Sequence, residues 1–204
     1  MQITYRQEIL RKLIHLSSLW MVVAIYLLPR PVAALLFFVL CAGTIFVEYG
    51  TYRNWPVFAP LYRKFFGKML RAKETTPGFH MSGAPYVLAA AFLVSLLFYK
   101  EVAMFALTVM LIGDTAAALI GRKWGVHKIN HQTKSVEGSG AFFLSGLAIS
   151  GLYAAFFSWT VALFWGGVSG VFLATLAELY ENKLHIDDNL SVPLICGICL
   201  SVVI

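Results

Sequence analysis

An isolated carboxylate stands close to a basic, glycine-rich segment in this sequence. Asp114 lies within an apolar run, where a charged side chain is costly and usually functional. The polar segment that follows interleaves four cations with three glycines: Gly121, Arg122, Lys123, Gly125, Lys128, Lys134 and Gly138. Glycine lets backbone N–H groups approach phosphate oxygens, and Lys and Arg neutralise their charge. The pattern predicts a site for a metal-bound nucleotide at a membrane surface.

The composition is that of an integral membrane protein. Of the 204 residues, 59% are hydrophobic and 13% are charged, whereas soluble domains are about 45–50% apolar and about 25% charged. The formal net charge of +6 is typical of Lys and Arg on the cytoplasmic side of a membrane protein, so we predict no nucleic-acid partner. A single membrane-embedded domain is expected over residues 1–204.

Hydrophobic runs recur along the whole chain, and a transmembrane span needs about 20 mostly apolar residues. Seven spans are predicted, at residues 13–29, 31–49, 82–99, 101–120, 139–157, 159–178 and 189–204. Two polar segments, 1–12 and 51–81, carry apolar residues at helical spacing and predict amphipathic helices at the surface. The predicted fold is therefore all-α, a polytopic membrane protein with about seven transmembrane helices.

The charges divide unevenly between the two ends of these spans. Fourteen of the 16 Lys and Arg residues fall at one end, and Arg30 and Lys100 fall at the other. By the positive-inside rule, the N-terminus and the three long loops are cytoplasmic. Nine of the ten acids fall at the same end, all except Glu101. The pattern predicts one site that opens to the cytoplasm and contains the intramembrane acids.

Small residues in the later spans suggest close helix packing. Gly166 and Gly170 form a GxxxG motif, which favours packing within the fold, with a seam between two copies of the chain as the second interpretation. A homodimer is therefore one expected assembly. Cys196 and Cys199 form a CxxC within an apolar run without a second ligand pair, and we interpret them as core residues.

Three groups of residues together resemble the polyprenol kinase family, which includes dolichol kinase, phytol kinase and CTP-dependent diacylglycerol kinase. The central group resembles its CTP-binding signature: Asp114, Ala117, Gly121, Gly125, Lys134, Ser135, Glu137 and Gly138. Arg11 and Lys12 with His15 resemble its N-terminal RK..H element. Asp188 and Asn189 with Pro193 resemble its late DN...P element, which follows an acid similar to Glu178. The resemblance covers essentially the whole chain.

This resemblance implies a kinase that transfers the terminal phosphate of CTP to the hydroxyl of a membrane lipid alcohol, with Mg²⁺ as cofactor. The implied catalytic residues are Asp114, Lys134 and Glu137. The implied nucleotide-binding residues are Gly121, Arg122, Lys123, Gly125, Lys128, Ser135, Gly138 and Asn189. The implied metal ligands are Asp114, Glu178 and Asp188, with Asp187 beside them. A compact member of this kind belongs in a prokaryotic cell membrane, or in an endoplasmic reticulum or plastid membrane.

Two other functions fit parts of the pattern. CDP-diacylglycerol synthases share a related glycine- and lysine-containing loop, so nucleotidyl transfer to phosphatidate is the alternative enzyme activity. A small transporter would use buried acids to carry ions. It would predict polar residues at the midplane and inverted repeats, whereas the acids here fall mainly at one end of the spans. The identity of the lipid alcohol is not encoded in the apolar composition, so polyprenol, phytol, related isoprenoid alcohols and diacylglycerol all remain open.

Overall fold

The structure, a computed structural model, describes residues 4–66, 79–129, 134–181 and 186–204, without the side chains of Arg63, Phe65 and Phe66. These residues form nine helices: α1 Tyr5–Ser17, α2 Trp20–Leu27, α3 Arg30–Tyr52, α4 Phe58–Phe66, α5 Gly83–Leu97, α6 Lys100–Lys123, α7 Val136–Phe156, α8 Val161–Leu179 and α9 Asp188–Ser201. Within the described ranges the β pairing consists of one isolated bridge between Lys128 and Ser135. The predicted all-α fold is confirmed.

The helix lengths correct the predicted number of full-length spans. Among the residues that the structure describes, five segments are long and apolar enough to cross a bilayer: α1 with α2, α3, α6, α7 and α8. Helices α5 and α9 are apolar but have 15 and 14 residues, which gives roughly 21–23 Å at 1.5 Å per residue. A hydrocarbon core is about 30 Å thick. The predicted third span is therefore a shorter helix, as is the seventh, which at 16 predicted residues is already short for a span, and five full-length spans lie within the described residues.

The N-terminal region also differs from the prediction of a surface helix followed by a span. Thr4 caps the start of helix α1 and forms a capping box with Gln7. The helix runs to Ser17 without a break at residue 12, and the interruption comes instead at the turn before α2. The side chains of Glu8 and Lys12 are buried against the bundle rather than facing water. This part of α1 therefore contributes side chains to the protein interior, because α1 packs along α6.

Helix α6 is the central helix of the bundle. Of its most apolar 18-residue stretch 72% is buried, compared with 17% to 44% in the other four long segments. It packs against α1, α2, α5, α7 and α9. Every residue from Val102 to Leu111 is buried, and all of them except Thr108 are apolar, as is typical of a central helix. The residues that α6 contributes to the site described below lie in its second half.

The two cations at the opposite end of the bundle close helix termini. Arg30 donates through Nε to the Ser95 carbonyl at 3.0 Å and through Nη2 to the Leu96 carbonyl, both in the last turn of α5. Lys100 donates to the Tyr26 carbonyl at the end of α2 at 3.0 Å. The last carbonyls of a helix have no partner within it and carry partial negative charge. These residues thus have structural partners at the end where cations are scarce.

Two glycines bring α8 into close contact with α9. On α8, a Cβ at Gly166 would lie 2.5 Å from Val203 Cγ2, and one at Gly170 would lie 3.2 Å from the Cys196 Cα. Both glycines of the GxxxG motif therefore pack against α9 and the residues after it, within one chain. The contacts of this motif agree with its interpretation as close packing within the fold. The face of α8 that carries the two glycines is covered by α9 and the residues after it.

The amphipathic segment predicted at 51–81 contains α4, while residues 67–78 lie outside the described residues. Glu48 of α3 is buried and joins α4 to the start of α5, since it accepts hydrogen bonds from the Tyr62 hydroxyl at 3.3 Å and from the Ser82 amide at 3.0 Å. Leu61 is exposed on α4. Helix α4 is thus fixed to the bundle on one side and presents apolar surface on the other.

Gly146 and Gly151, both in α7, provide a matched test of this packing. A Cβ at Gly146 would lie 2.4 Å from Cγ1 of the fully buried Val171, whereas a Cβ at Gly151 would meet nothing within 4 Å. We expect Gly146→Ala to lower the free energy of unfolding by about 1–3 kcal/mol. Gly151→Ala should leave it unchanged or raise it by about 0.5–1 kcal/mol. Unfolding in one detergent, followed by tryptophan fluorescence, measures both; equal stability of the two variants would contradict the packing described.

Candidate functional site

Lys134 lies at the centre of a cluster of carboxylates. Its Nζ is 2.5 Å from Glu178 Oε1, 3.0 Å from Asp188 Oδ2 and 3.4 Å from Glu181 Oε2. Burial lowers the pKa of the Lys134 ammonium, but the Asp188 and Glu178 carboxylates outweigh burial and raise that pKa above its usual value. Three acids from the end of α8 and the start of α9 thus surround one cation that precedes α7. The group has excess negative charge and a lysine that stays protonated.

Asp114 forms a second group that adjoins the first. Its carboxylate is paired with the ammonium of Lys12, whose side chain is 3% exposed, and lies 3.3 Å from His15 Nε2. The Asp114 carboxylate also contributes to the raised pKa of Lys134, which places the two groups within electrostatic range. The RK..H and DN...P elements, far apart in sequence, therefore meet at the same end of the bundle as the acid of α6.

Three acids lie close enough together to share a cation. Oxygens of Glu181, Asp187 and Asp188 all lie within 4.8 Å of one another. Mg²⁺ takes oxygen ligands and is usually held by one or two carboxylates together with phosphate oxygens and water. Of the predicted metal ligands, Asp188 belongs to this group, while Asp114 and Glu178 lie beside it, each paired with a lysine.

The glycines of the central segment pack α6 against α7. A Cβ at Gly125 would lie 2.1 Å from the Gly121 carbonyl oxygen and 2.4 Å from Ser135 Oγ. A Cβ at Gly138 would lie 2.9 Å from the Ala117 carbonyl oxygen and 3.1 Å from the Gly121 Cα. Ser135 Oγ accepts a hydrogen bond from the Gly138 amide at 3.2 Å and so caps the first turn of α7. These four residues make the close approach that brings Lys134 beside α6.

The remaining cations of the segment surround the C-terminal end of α6. Arg122 Nη1 donates to Glu8 Oε2 at 2.8 Å. Lys123 Nζ lies over the ring of Trp124, 4.5 Å from its centroid. Lys128 Nζ donates to the Gly121 carbonyl at 3.2 Å. The contacts described for these three cations are therefore with protein groups next to the Lys134 cluster, at the same end of the bundle.

Two predicted site residues, Glu137 and Asn189, contact side chains other than Lys134. Glu137 Oε1 lies 2.6 Å from His127 Nδ1, and the His127 side chain is 78% exposed. In the described part of the chain, Glu137 forms no ion pair with Lys134. Asn189 Nδ2 donates to Asp187 Oδ1 at 2.7 Å, while its own Oδ1 is buried without a described hydrogen-bond partner. The structure thus brings Asn189 into the acidic group and places Glu137 at an exposed edge.

Sequence reasoning missed two acids that the structure brings into this region. Glu181 joins the Lys134 cluster, and its position three residues after Glu178 is the helical spacing that places two side chains on one face. Glu8 is 5% exposed and pairs with Arg122. The sequence feature that could have identified Glu8 is its spacing of four residues from Lys12, which predicts that the two charged side chains share a face of α1.

Several known proteins are similar to this chain. An uncharacterized protein of Rickettsia prowazekii is 33% identical over 194 residues, which cover 95% of this chain and 92% of that protein. A probable chloroplastic phytol kinase of Triticum aestivum is 31% identical over 56% of this chain, and the match covers 41% of the wheat protein. CTP-dependent diacylglycerol kinase 1 of Schizosaccharomyces pombe is 27% identical over 72% of this chain and 70% of its own length.

The extent of these similarities differs between relatives. The match extends along nearly all of the rickettsial protein but along only about two fifths of the wheat protein. No protein-family model and no solved structure matches the chain. The names of the wheat and yeast relatives are those of a phytol kinase and of a diacylglycerol kinase that depends on CTP. From these similarities, the chain belongs to the family of CTP-dependent polyprenol and lipid kinases.

Proposed function

We propose that this protein transfers the terminal phosphate of CTP to the hydroxyl of a membrane lipid alcohol, with CDP and a lipid phosphate as products. The relatives named phytol kinase and CTP-dependent diacylglycerol kinase support this activity. The observation that carries the proposal is the position of Lys134 among Glu178, Glu181 and Asp188, in electrostatic range of Asp114. A cation among acids, next to a carboxylate within the membrane, suits a phosphate that must meet a lipid hydroxyl.

The reaction needs positioning and charge neutralisation more than covalent chemistry by the protein. The lipid hydroxyl oxygen forms the new bond to the terminal phosphorus, and the bond from that phosphorus to the β–γ bridging oxygen breaks. Asp114 takes the hydroxyl proton, and CDP leaves with the bridging oxygen. Lys134 neutralises the transferred phosphoryl group, and Arg122, Lys123 and Lys128 hold the rest of the triphosphate. Asp114 lies about two helical turns from Gly121 along α6, roughly 10 Å deeper in the membrane. In this arrangement the nucleotide reaches the site from water, and the lipid hydroxyl reaches it from the bilayer.

A Mg²⁺ ion fits the acids at the start of α9. Glu181, Asp187 and Asp188 offer carboxylate oxygens within 4.8 Å of one another, which is the hard donor set that this ion prefers. When bound with CTP, the ion supplies charge neutralisation at the phosphate oxygens. Lys134 contacts two of the same carboxylates. Competition for these oxygens would leave its ammonium available for phosphate.

The charge distribution of the sequence supports a site that faces the cytoplasm. All the acids and lysines described in the site lie at the end of the bundle to which the sequence pattern assigns 14 of the 16 Lys and Arg residues. We propose a prokaryotic cell membrane as the location, with the nucleotide arriving from the cytoplasm. A homodimer stays a prediction, and it would use a surface other than the glycines of α8 that face α9.

Substitution of the two central residues tests the proposed activity. The purified protein is given CTP labelled in its terminal phosphate, together with phytol, a short polyprenol or diacylglycerol. Asp114→Asn and Lys134→Met should each lower lipid phosphate formation at least about 100-fold, because the first loses the proton acceptor and the second the central cation. Glu101→Gln and Lys100→Met, at the other end of the bundle, serve as matched controls and should retain activity.

The products distinguish the two enzyme activities. Lipid phosphate with CDP is expected, whereas CDP-lipid with pyrophosphate from phosphatidate would establish a cytidylyltransferase instead. Full activity in both Asp114→Asn and Lys134→Met would show that the site lies elsewhere.

Removal of the metal tests the acidic group separately. We expect EDTA to abolish phosphate transfer and added Mg²⁺ to restore it. Asp187→Asn and Asp188→Asn should raise the Mg²⁺ concentration for half-maximal activity about tenfold or more, because each removes a carboxylate ligand. Glu101→Gln should keep the Mg²⁺ requirement of the wild type. An unchanged Mg²⁺ requirement in both variants of the acidic group would remove it as the metal site.

A further inference from the structure

Glu8 is a buried carboxylate that the proposed reaction does not use. Its side chain is 6% exposed, although an unpaired carboxylate in such a position is strongly unfavourable. One of its oxygens pairs with Arg11 Nη2, in the same helix. The other accepts from Arg122 Nη1 at 2.8 Å, at the end of α6. A single acid therefore holds two guanidinium groups from different helices, one at each oxygen.

This group has excess positive charge that faces outward. The Arg11 and Arg122 side chains are 26% and 28% exposed, so the acid lies inside and the guanidinium groups reach toward water. Arg11 Nε is buried without a described hydrogen-bond partner. A brace between two helices needs one cation for one acid. The second guanidinium adds charge that the Glu8 carboxylate alone does not neutralise.

The position of the group relates it to the site. Helices α1 and α6 run antiparallel where Glu8 meets Arg122 and Lys12 meets Asp114. Arg122 follows Asp114 by eight residues, slightly more than two turns, so both lie on the face of α6 that α1 covers, about 12 Å apart along the axis. The two arginines therefore lie about two helical turns from Asp114, toward water and next to the glycine-rich segment.

We infer that Glu8 is a positioning residue that fixes Arg11 and Arg122 side by side as a clamp for the phosphates of the nucleotide, an inference that rests on the proposed function. Guanidinium groups bind phosphate oxygens through two parallel N–H donors, and this geometry is lost if the group can rotate. The carboxylate accepts one described N–H from each guanidinium, Nη2 of Arg11 and Nη1 of Arg122, and each charge-assisted contact restricts how that planar group can rotate. The ligand class is a polyphosphate, and Glu8 acts on it only through the arginines.

The test measures ligand binding directly, with CTP and with inorganic pyrophosphate as probes, by calorimetry on the purified protein in detergent. Glu8→Gln should weaken the binding of both probes about tenfold, since it removes the charge that orients the arginines. In the assay of phosphate transfer, KM for CTP should rise by a similar factor, while kcat and KM for the lipid change less than about twofold. Glu101→Gln is the matched control and should bind both probes as the wild type does.

A second pair of variants covers the case in which Glu8→Gln does not fold. Arg11→Lys and Arg122→Lys keep the charge next to Glu8 but lose the planar fork, and we expect each to weaken pyrophosphate binding at least about threefold. Combined with Arg122→Ala, the Glu8→Gln change should have less effect than it has alone, because the group that it positions is absent.

The outcomes separate a clamp from a brace. Unchanged affinity for both probes in Glu8→Gln together with a lower melting temperature would overturn the inference and leave Glu8 as a structural brace. Unchanged pyrophosphate binding in both lysine variants would overturn it as well. Pyrophosphate binding that is lost in Glu8→Gln, in a protein that transfers no phosphate to any lipid alcohol, would support the clamp and refute the proposed function.

Discussion

Lys12 and Asp114 join α1 to α6 in a region where neither charge would be stable alone. The Lys12 side chain is 3% exposed and that of Asp114 13%, and removal of one partner would leave an uncompensated buried charge. The same constraint applies to Lys134 among its acids and to Glu8 between two arginines. Each of these groups contains at least one pair between elements that are distant in sequence. Charge pairing therefore determines how the elements at this end of the bundle are arranged.

Close backbone approach makes these pairs geometrically available. Where α6 meets the start of α7, Gly121, Gly125 and Gly138 leave no room for side chains, and Ser135 caps α7 between them. Lys134, the residue before this cap, is thereby held next to the ends of α8 and α9. The resemblance assigns these glycines to nucleotide binding, and the structure gives them a packing role that positions the central cation. The two roles are compatible, because a tight loop also exposes backbone N–H groups.

Much of the site follows from the sequence because charges avoid hydrocarbon. Apolar runs fix where the chain enters the bilayer, so Glu178 and Asp188 had to lie near the ends of helices, and the positive-inside rule puts those ends together. Asp114 is the exception within an apolar run, which is why the sequence already marks it as functional. The contacts of Lys134 with Glu178 and Asp188 agree with that inference. The all-α fold follows from the same runs, since lipid leaves a chain of this composition little alternative.

Other features depend on helix rotation and register, which one sequence does not specify. The segment containing Glu8 and Lys12 has the polar composition of a surface helix, but α1 turns both side chains toward α6. Glu137 stands beside the signature lysine in sequence, yet α7 begins at Val136 and directs Glu137 to His127. Helices α5 and α9 follow their caps Ser82 and Asp187, within one residue of the predicted starts, and are shorter than predicted because they end at Leu97 and Ser201.

An experimental structure of the protein in lipid nanodiscs, with Mg²⁺ and a non-hydrolysable CTP analogue, tests the central claim most directly. The account predicts triphosphate density in contact with Lys134, at the end of the bundle that contains Asp114 and the acids of α9. It also predicts that the terminal phosphate is the group nearest to Asp114. Nucleotide density at the end that contains Arg30 and Lys100, or phosphate density separated from Lys134 by a whole helix, would contradict the account.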